Sequence, residues 1–188
     1  MKIPFAILAG GKSRRMGRDK AFVEVDGTPM IERVIAAVRP GASTITLIAN
    51  EPEKFKKFGY PVFADTIAGM GPLSGLVTAF EVIDGNRIFM VACDMPYVSP
   101  EIVEFIIKCG DRPGEALMPI IGGREQGLMA IYRRGTLERF MERIEKKDIQ
   151  FDEFRRSITK SHVEEEELKL IDPALRSFIN VNCPDDLP

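Results

Sequence analysis

The chain has 188 residues, 45% of them hydrophobic, with 26 Lys and Arg against 28 Asp and Glu and a formal charge of −2. That length and apolar content supply one substantial core, read as a single domain over residues 1–188. The near-neutral, slightly acidic balance offers no general attraction to nucleic acid or anionic lipid. No apolar run approaches the roughly 18 to 20 residues that span a bilayer, so neither nucleic acid nor membrane is an expected partner.

Residues 3 to 9 (IPFAILA) form a continuous apolar run, the pattern of a strand buried on both faces, as in parallel sheets. A Gly-rich basic loop follows, then a short apolar stretch from Ala21 to Val25 and a turn at Asp26-Gly27. Thr28-Pro29 reads as an N-cap with proline at the first helical position, opening the helix MIERVIAAV. A strand is expected over Ser43 to Ala49, a short helix over Glu53 to Phe58 and a strand over Pro61 to Ala64. Gly71-Pro72 opens a helix through Ile83, Gly85-Asn86 turns into a strand from Arg87 to Cys93, and Ser99-Pro100 caps a helix to Lys108.

From Glu115 the texture changes. Strands over Glu115 to Ile121 and Gln126 to Arg133 flank Gly122-Gly123 and either pair as a hairpin or border the sheet. Helices are expected over Leu137 to Lys147 and Glu153 to Ser157, and a short strand over Ser177 to Asn182. The acidic run Glu164 to Glu167 reads as a solvated face, with His162 beside it a surface residue. Alternating β and α elements point to a three-layer α/β/α sandwich around a Rossmann-like, doubly wound, mostly parallel sheet.

The first loop carries the chemistry. Between Lys12 and Lys20 the chain holds five cations, Lys12, Arg14, Arg15, Arg18 and Lys20, against Asp19 alone. Such a cluster repels itself unless an anion offsets it. Residues 6 to 13 (AILAGGKS) fit the spacing of a Walker phosphate loop if alanine is allowed at the first position, but Ile7 and Leu8 continue the strand where that motif requires loop. Basic, Gly-rich character also persists for seven residues past Lys-Ser. The reading adopted is a longer phosphate-binding ribbon, with glycines admitting close backbone approach and Lys and Arg supplying charge.

Elsewhere the chemical inventory is sparse. Cys93, Cys109 and Cys183 form no close pair and are read as thiols of a reduced, cytoplasmic compartment. One histidine and no CxxC leave little for a zinc centre, so a bound metal would use oxygen ligands. The nine methionines sit mostly among apolar neighbours and read as core filling.

The run from Leu8 to Lys20, LAGGKSRRMGRDK, resembles the LAGGxSxRMGxDK signature of molybdenum cofactor guanylyltransferases, the MobA family. The likeness continues at Ala49-Asn50, Asp65, Gly71-Pro72-Leu73-Ser74-Gly75, Cys93-Asp94-Met95-Pro96 and Asn180-Val181-Asn182. One departure stands out: Gln126-Gly127 occupies the place of an expected His-Pro or Gln-Pro pair, in a region the family links to its acceptor. The resemblance implies a nucleotide-diphospho-sugar transferase-like fold. It also implies Mg²⁺-dependent transfer of GMP from GTP to the terminal phosphate of molybdopterin, or of the molybdenum-loaded cofactor, with release of pyrophosphate. Cofactor-delivery proteins and apo-molybdoenzymes become candidate partners.

The expected site residues follow. Asp94, after an apolar strand, lies where open α/β sheets bind ligands, and a carboxylate beside a triphosphate needs a bridging cation, so it is the expected metal ligand. Arg15 and Lys20 are expected to stabilise charge on the departing pyrophosphate. By the resemblance, Leu8, Ala9, Gly10 and Gly11 meet the nucleotide through backbone, and Asn50 and Asp65 lie near base and ribose. Asp65 accepts from the base, from the ribose hydroxyls, or only closes a turn. Gly71 and Gly75 either admit the ligand or set helix-start geometry. Asn180 and Asn182 are acceptor-side candidates, Asn182 also a second metal ligand, with an Asx turn before Pro184 as the plain alternative. Two rivals remain: a related transferase using CTP or a sugar phosphate, and a non-catalytic nucleotide or cofactor carrier.

Overall fold

A computed structural model of the chain describes residues 1–10 and 20–181. Its elements in order are β1 (Ile3–Leu8), a 3-10 turn (Lys20–Phe22), β2 (Glu24–Val25), β3 (Thr28–Pro29), α1 (Met30–Val38) and β4 (Ala42–Ile48). After a 3-10 segment (Pro52–Phe58) come β5 (Val62–Phe63), α2 (Pro72–Val82), β6 (Arg87–Ala92), α3 (Pro100–Lys108), β7 (Ala116–Ile121), β8 (Arg124–Glu125) and β9 (Met129–Arg133). The chain continues with α4 (Met141–Glu145), α5 (Phe151–Ser157), β10 (Lys160–Val163) and α6 (Glu165–Lys169).

The main sheet runs β10-β7-β9-β6-β1-β4-β5, with β8 attached to β7. Its pairings are parallel except where β9 enters, antiparallel to both β6 and β7, and where β8 folds back. Of the alternatives for residues 115–133, Gly122-Gly123 does turn a small hairpin, between β7 and β8, but the strand expected over Gln126 to Arg133 does not border the sheet: as β9 it lies inside it, between β6 and β7.

Alternation along β1 shows why the run is apolar throughout. Phe5 and Ile7 enter the cluster under α1, α3 and α6, while Ala6 and Leu8 face α2 and α5. Both faces are covered, which makes three layers. Phe5 stacks on Phe89 of the neighbouring strand, ring centroids 4.6 Å apart, a pairing that adds about 0.5–1.5 kcal/mol beyond burial. Ser99 caps α3 by accepting from the Ile102 N–H, as expected, and its loss would cost about 1 kcal/mol. Six methionines, Met30, Met70, Met90, Met95, Met118 and Met129, are core residues.

Four local expectations are corrected. Thr28 is not a helix cap. Asp26 and Gly27, both at positive φ, turn the chain back so that Val25 pairs with Thr28, and α1 starts with the Met30 N–H on the Val23 carbonyl. The helix expected over residues 137–147 is broken into 3-10 turns before α4; Thr136 spends its hydroxyl on the carbonyls of Glu115 and Arg133 at the start of this stretch. No strand forms over residues 177–181: a 3-10 turn at Arg176–Phe178 follows Leu175 at φ 51°, and the Val181 N–H donates to the Asp94 carbonyl. The acidic run is also more than a solvated face. Glu164 and Glu167 close a capping box on α6, and Glu167 pairs with Arg112.

Candidate nucleotide-transfer site

Strand order decides what meets what. From β1 the chain steps outward to β4 and β5, then crosses back to β6 on the other side of β1, which makes the carboxyl ends of these strands the switch-point crevice of a doubly wound sheet. Leu8, Ile48 and Ala92 stand level in the pairing register. The residues that follow them, and Asp65 beyond β5, therefore line one edge in the spatial order Asp65, Asn50, Gly10, Asp94. Ile7 and Leu8 are strand residues, so the Walker reading is excluded.

The turn after β1 is laced to its neighbours. Ala9 N–H donates to the Ile48 carbonyl at 2.8 Å, and Cys93 N–H to the Leu8 carbonyl at 2.9 Å. Those two groups are spent on the sheet, so a backbone contact to a nucleotide falls to groups from the Ala9 carbonyl onward. A Cβ on Gly10 would lie 3.2 Å from Asn50 Nδ2, which puts these two expected contacts side by side.

Asp94 is the centre of the arrangement. Lys20 Nζ lies 2.6 Å from its Oδ2, with the two side chains 16% and 21% exposed. Its Oδ1 is buried and has no hydrogen-bond partner among the described residues. Lys20 is placed by Phe22, two residues on, which packs on Phe55 and Phe58 with Lys57 over two of the three rings. On the other side, Arg33 donates to the Pro96 carbonyl from Nε, and to the Val25 carbonyl, tying the loop after Asp94 to the β2–β3 hairpin. Arg33 had no distinguishing signal in the sequence. The bond from Val181 to the Asp94 carbonyl brings the C-terminal segment, with exposed Asn180, to the same edge.

The remaining expected residues are placed as follows. Asn50 is exposed, and Asp65 is half buried, its carboxyl pushed above the usual range by desolvation. Gly71 caps α2 at φ 58° and ψ −135°, a conformation open to glycine, and lines an opening of about 360 Å³ with Met70, Pro72, Gln150, Phe151 and Asp152. Gly75 is fully buried: its Cβ would stand 2.6 Å from Leu8 Cδ2, so its missing side chain serves the packing of α2 on β1. Gly11, Arg15 and Asn182 lie outside the described residues. Among the described residues no group of three or more His, Cys, Asp or Glu could by itself hold a metal, and no helix is long and apolar enough to cross a membrane.

Comparison with known proteins agrees with this geometry. Residues 5–165 match the family model of the MobA-like NTP transferase domain. The chain belongs to that family. A probable molybdenum cofactor guanylyltransferase of Pelotomaculum thermopropionicum is 33% identical over 181 residues, covering 96% of this chain and 88% of the relative. The molybdenum cofactor guanylyltransferase of Shewanella woodyi is 31% identical over 193 residues, covering 98% and 93%. Among solved structures, molybdopterin-guanine dinucleotide biosynthesis protein A from Archaeoglobus fulgidus superposes with a TM-score of 0.83 at 26% identity, covering 100% of this chain and 95% of that one.

The MobA-like chain is thus a nucleotidyltransferase, and its departure at Gly127 has a structural cause. A Cβ there would lie 2.5 Å from Arg155 Cδ and 3.2 Å from both Phe151 Cε1 and Tyr132 Oη. Arg155 is held in place by Glu125, which also pairs with Lys160 and His162. His162 is therefore partly buried and hydrogen-bonded to Glu125, not a plain surface residue. The Ala92 N–H donates to the Leu128 carbonyl, so this segment adjoins the Asp94 edge.

Proposed function

We propose that this protein transfers GMP from GTP to the terminal phosphate of molybdopterin, or of its molybdenum-loaded form, and releases pyrophosphate. The observation that carries the reading is the contact of Lys20 with one oxygen of Asp94 while the other oxygen is buried without a protein donor among the described residues. A carboxylate oxygen withdrawn from water and left without a partner is costly, and a cation bound there offsets the cost. Asp94 therefore fits as a ligand for Mg²⁺, with Asn182 the second candidate. When bound, the ion supplies neutralisation of phosphate charge beside a carboxylate that would otherwise repel the triphosphate. The names borne by the relatives support GTP and molybdopterin as the substrates.

An oxygen of the acceptor phosphate attacks the α-phosphorus. A new P–O bond forms as the bond from the α-phosphorus to the bridging oxygen breaks, and the electron pair departs on pyrophosphate. The attacking oxygen is already anionic, so no general base is required, and catalysis rests on alignment and charge neutralisation. Lys20 and Arg15 are assigned to the charge that grows on the pyrophosphate. Gly10 and Asn50 seat the nucleotide, Asp65 meets its base or ribose, and Asn180 and Asn182 are assigned to the acceptor. Cofactor-delivery proteins and apo-molybdoenzymes would receive the product.

The test is a pyrophosphate-release assay with each of the four NTPs, with and without Mg²⁺ and molybdopterin. Release that depends on GTP, Mg²⁺ and molybdopterin together is expected. Preference for another nucleotide, or release without molybdopterin, overturns the reading.

A further inference from the structure

The buried stretch of α2 carries two hydroxyls, Ser74 and Thr78, four residues apart and so on one face of the helix. Both are fully buried, where a hydroxyl is costly unless hydrogen-bonded. Apart from one bond within the helix, their partners all lie in the loop from β5 to α2. Ser74 Oγ donates to the Ile67 carbonyl and accepts from the Met70 N–H at 3.2 Å. Thr78 Oγ1 accepts from the Thr66 N–H at 2.9 Å and lies 3.2 Å from Thr66 Oγ1. Its own proton goes to the Ser74 carbonyl at 3.0 Å, so the Thr66 hydroxyl is the donor of the 3.2 Å contact.

This double anchor grips a loop whose outer residues, Thr66, Ala68 and Gly69, are exposed. The tied N–H of Thr66 belongs to the peptide group that follows Asp65. Asp65 ends the edge of the site, half buried, with no hydrogen bond to its carboxylate among the described residues. Nothing on its own side chain fixes its direction. The backbone beside it does, and that backbone is held by Thr78.

We propose that Ser74 and Thr78 are positioning residues for nucleotide selection, holding the Asp65 loop in the conformation in which its carboxylate meets the incoming nucleotide. The inference rests on the assignment of Asp65 to the nucleotide site made above. The physical content is preorganisation: a loop already fixed by buried bonds has less ordering left to do on binding.

The experiment compares kcat/KM for GTP with that for ITP, which lacks the exocyclic amine, and with that for dGTP, which lacks the ribose 2′-hydroxyl, in pyrophosphate release with molybdopterin. Asp65→Asn is expected to lower one of the two ratios about tenfold, identifying the group the carboxylate recognises. Thr78→Val is expected to lower the same ratio about threefold to tenfold, through KM more than kcat, and Thr78→Ser to restore it. Should Thr78→Val not fold by circular dichroism, Ser74→Ala loosens the other end of the loop and is expected to move the same ratio.

A purely structural role would lower the melting temperature of these variants and leave both ratios at their wild-type values, which overturns the proposal. If Asp65→Asn moves neither ratio, the carboxylate selects neither the amine nor the 2′-hydroxyl and the proposal fails, while GMP transfer is judged separately by the four-nucleotide assay.

Discussion

Lys20 Nζ and Asp94 Oδ2 stand 2.6 Å apart although 74 positions separate them in the chain. The contact joins the end of the basic loop to the end of β6, and neither side chain is more than about a fifth exposed. Lys20→Ala should lower turnover by about 10² or more, by comparison with removal of one preorganised donor in other active sites. Asp94→Asn should do the same and also weaken the dependence of rate on Mg²⁺ concentration. Steady-state pyrophosphate release, with circular dichroism to establish folding, checks both; near-normal turnover in Lys20→Ala would contradict the assignment.

Gly75→Ala places a methyl group 2.6 Å from Leu8 Cδ2 and 3.3 Å from Cδ1. Leu8 is itself in the core, so it cannot simply swing away, and overpacking of this kind costs about 1–3 kcal/mol. Urea unfolding should show that loss. In the Leu8→Ala background the same substitution should cost less, a coupling that a double-mutant cycle measures.

Gly127→Ala meets Arg155 Cδ at 2.5 Å, and Arg155 is tied to Glu125 and Asp152. We expect a loss of about 1–3 kcal/mol. Combined with Arg155→Ala, which removes the clashing atoms, the loss in urea unfolding should be smaller than the sum of the two single effects. Additive losses would place the strain elsewhere.

Acidification should unfold the protein partly through Glu125. Burial pushes this carboxyl up, but hydrogen bonds from His162 and Lys160 and the charges of Lys160 and Arg155 outweigh it and hold the group below the usual glutamate range. A group whose folded pKa is depressed contributes stability that is complete above its unfolded value, about 4.3, and is lost as pH falls through the folded value. Glu167, held down by the hydrogen bond from Arg112, acts in the same sense. Denaturant melts of Glu125→Gln should therefore show a flatter loss of stability below about pH 5 than the wild type. An unchanged slope would remove Glu125 from this account.

The sheet core was legible because it rests on local patterns. IPFAILA reads as a doubly covered strand, Ser99-Pro100 as a capped helix start and Gly71-Pro72 as another, and each stands where expected. The meeting of Lys20 and Asp94 at one edge of the sheet was legible because both end motifs that lead into or out of such strands. What was missed lacks a local signature. β10 was not anticipated, since Lys-Ser-His-Val carries little apolar alternation and is held by its pairing to β7. Thr28 is the exception: Thr-Pro matches a helix start, but Asp26-Gly27 is itself a local hairpin signal, and with both residues at positive φ it carries Thr28 into pairing with Val25. Arg33, Ser74 and Thr78 are ordinary helix residues whose importance comes from carbonyls and N–H groups brought to them by the fold. The steric reason for Gly127 depends on Arg155, which only the packing of α5 supplies.

The reversed strand β9 has a consequence for biosynthesis. As the chain leaves the ribosome, β5, β4, β1 and β6 can assemble from contiguous early sequence, and the four carboxyl ends that bear Asp65, Asn50, Gly10 and Asp94 are then already aligned. β7, made next, can close its small hairpin with β8 but cannot join the sheet until Met129–Arg133 emerges, because among the described residues it is β9 that bridges β7 to β6. Translation arrest just before Met129 would leave an open edge along β6, and a nascent chain in that state would be the one most in need of a chaperone.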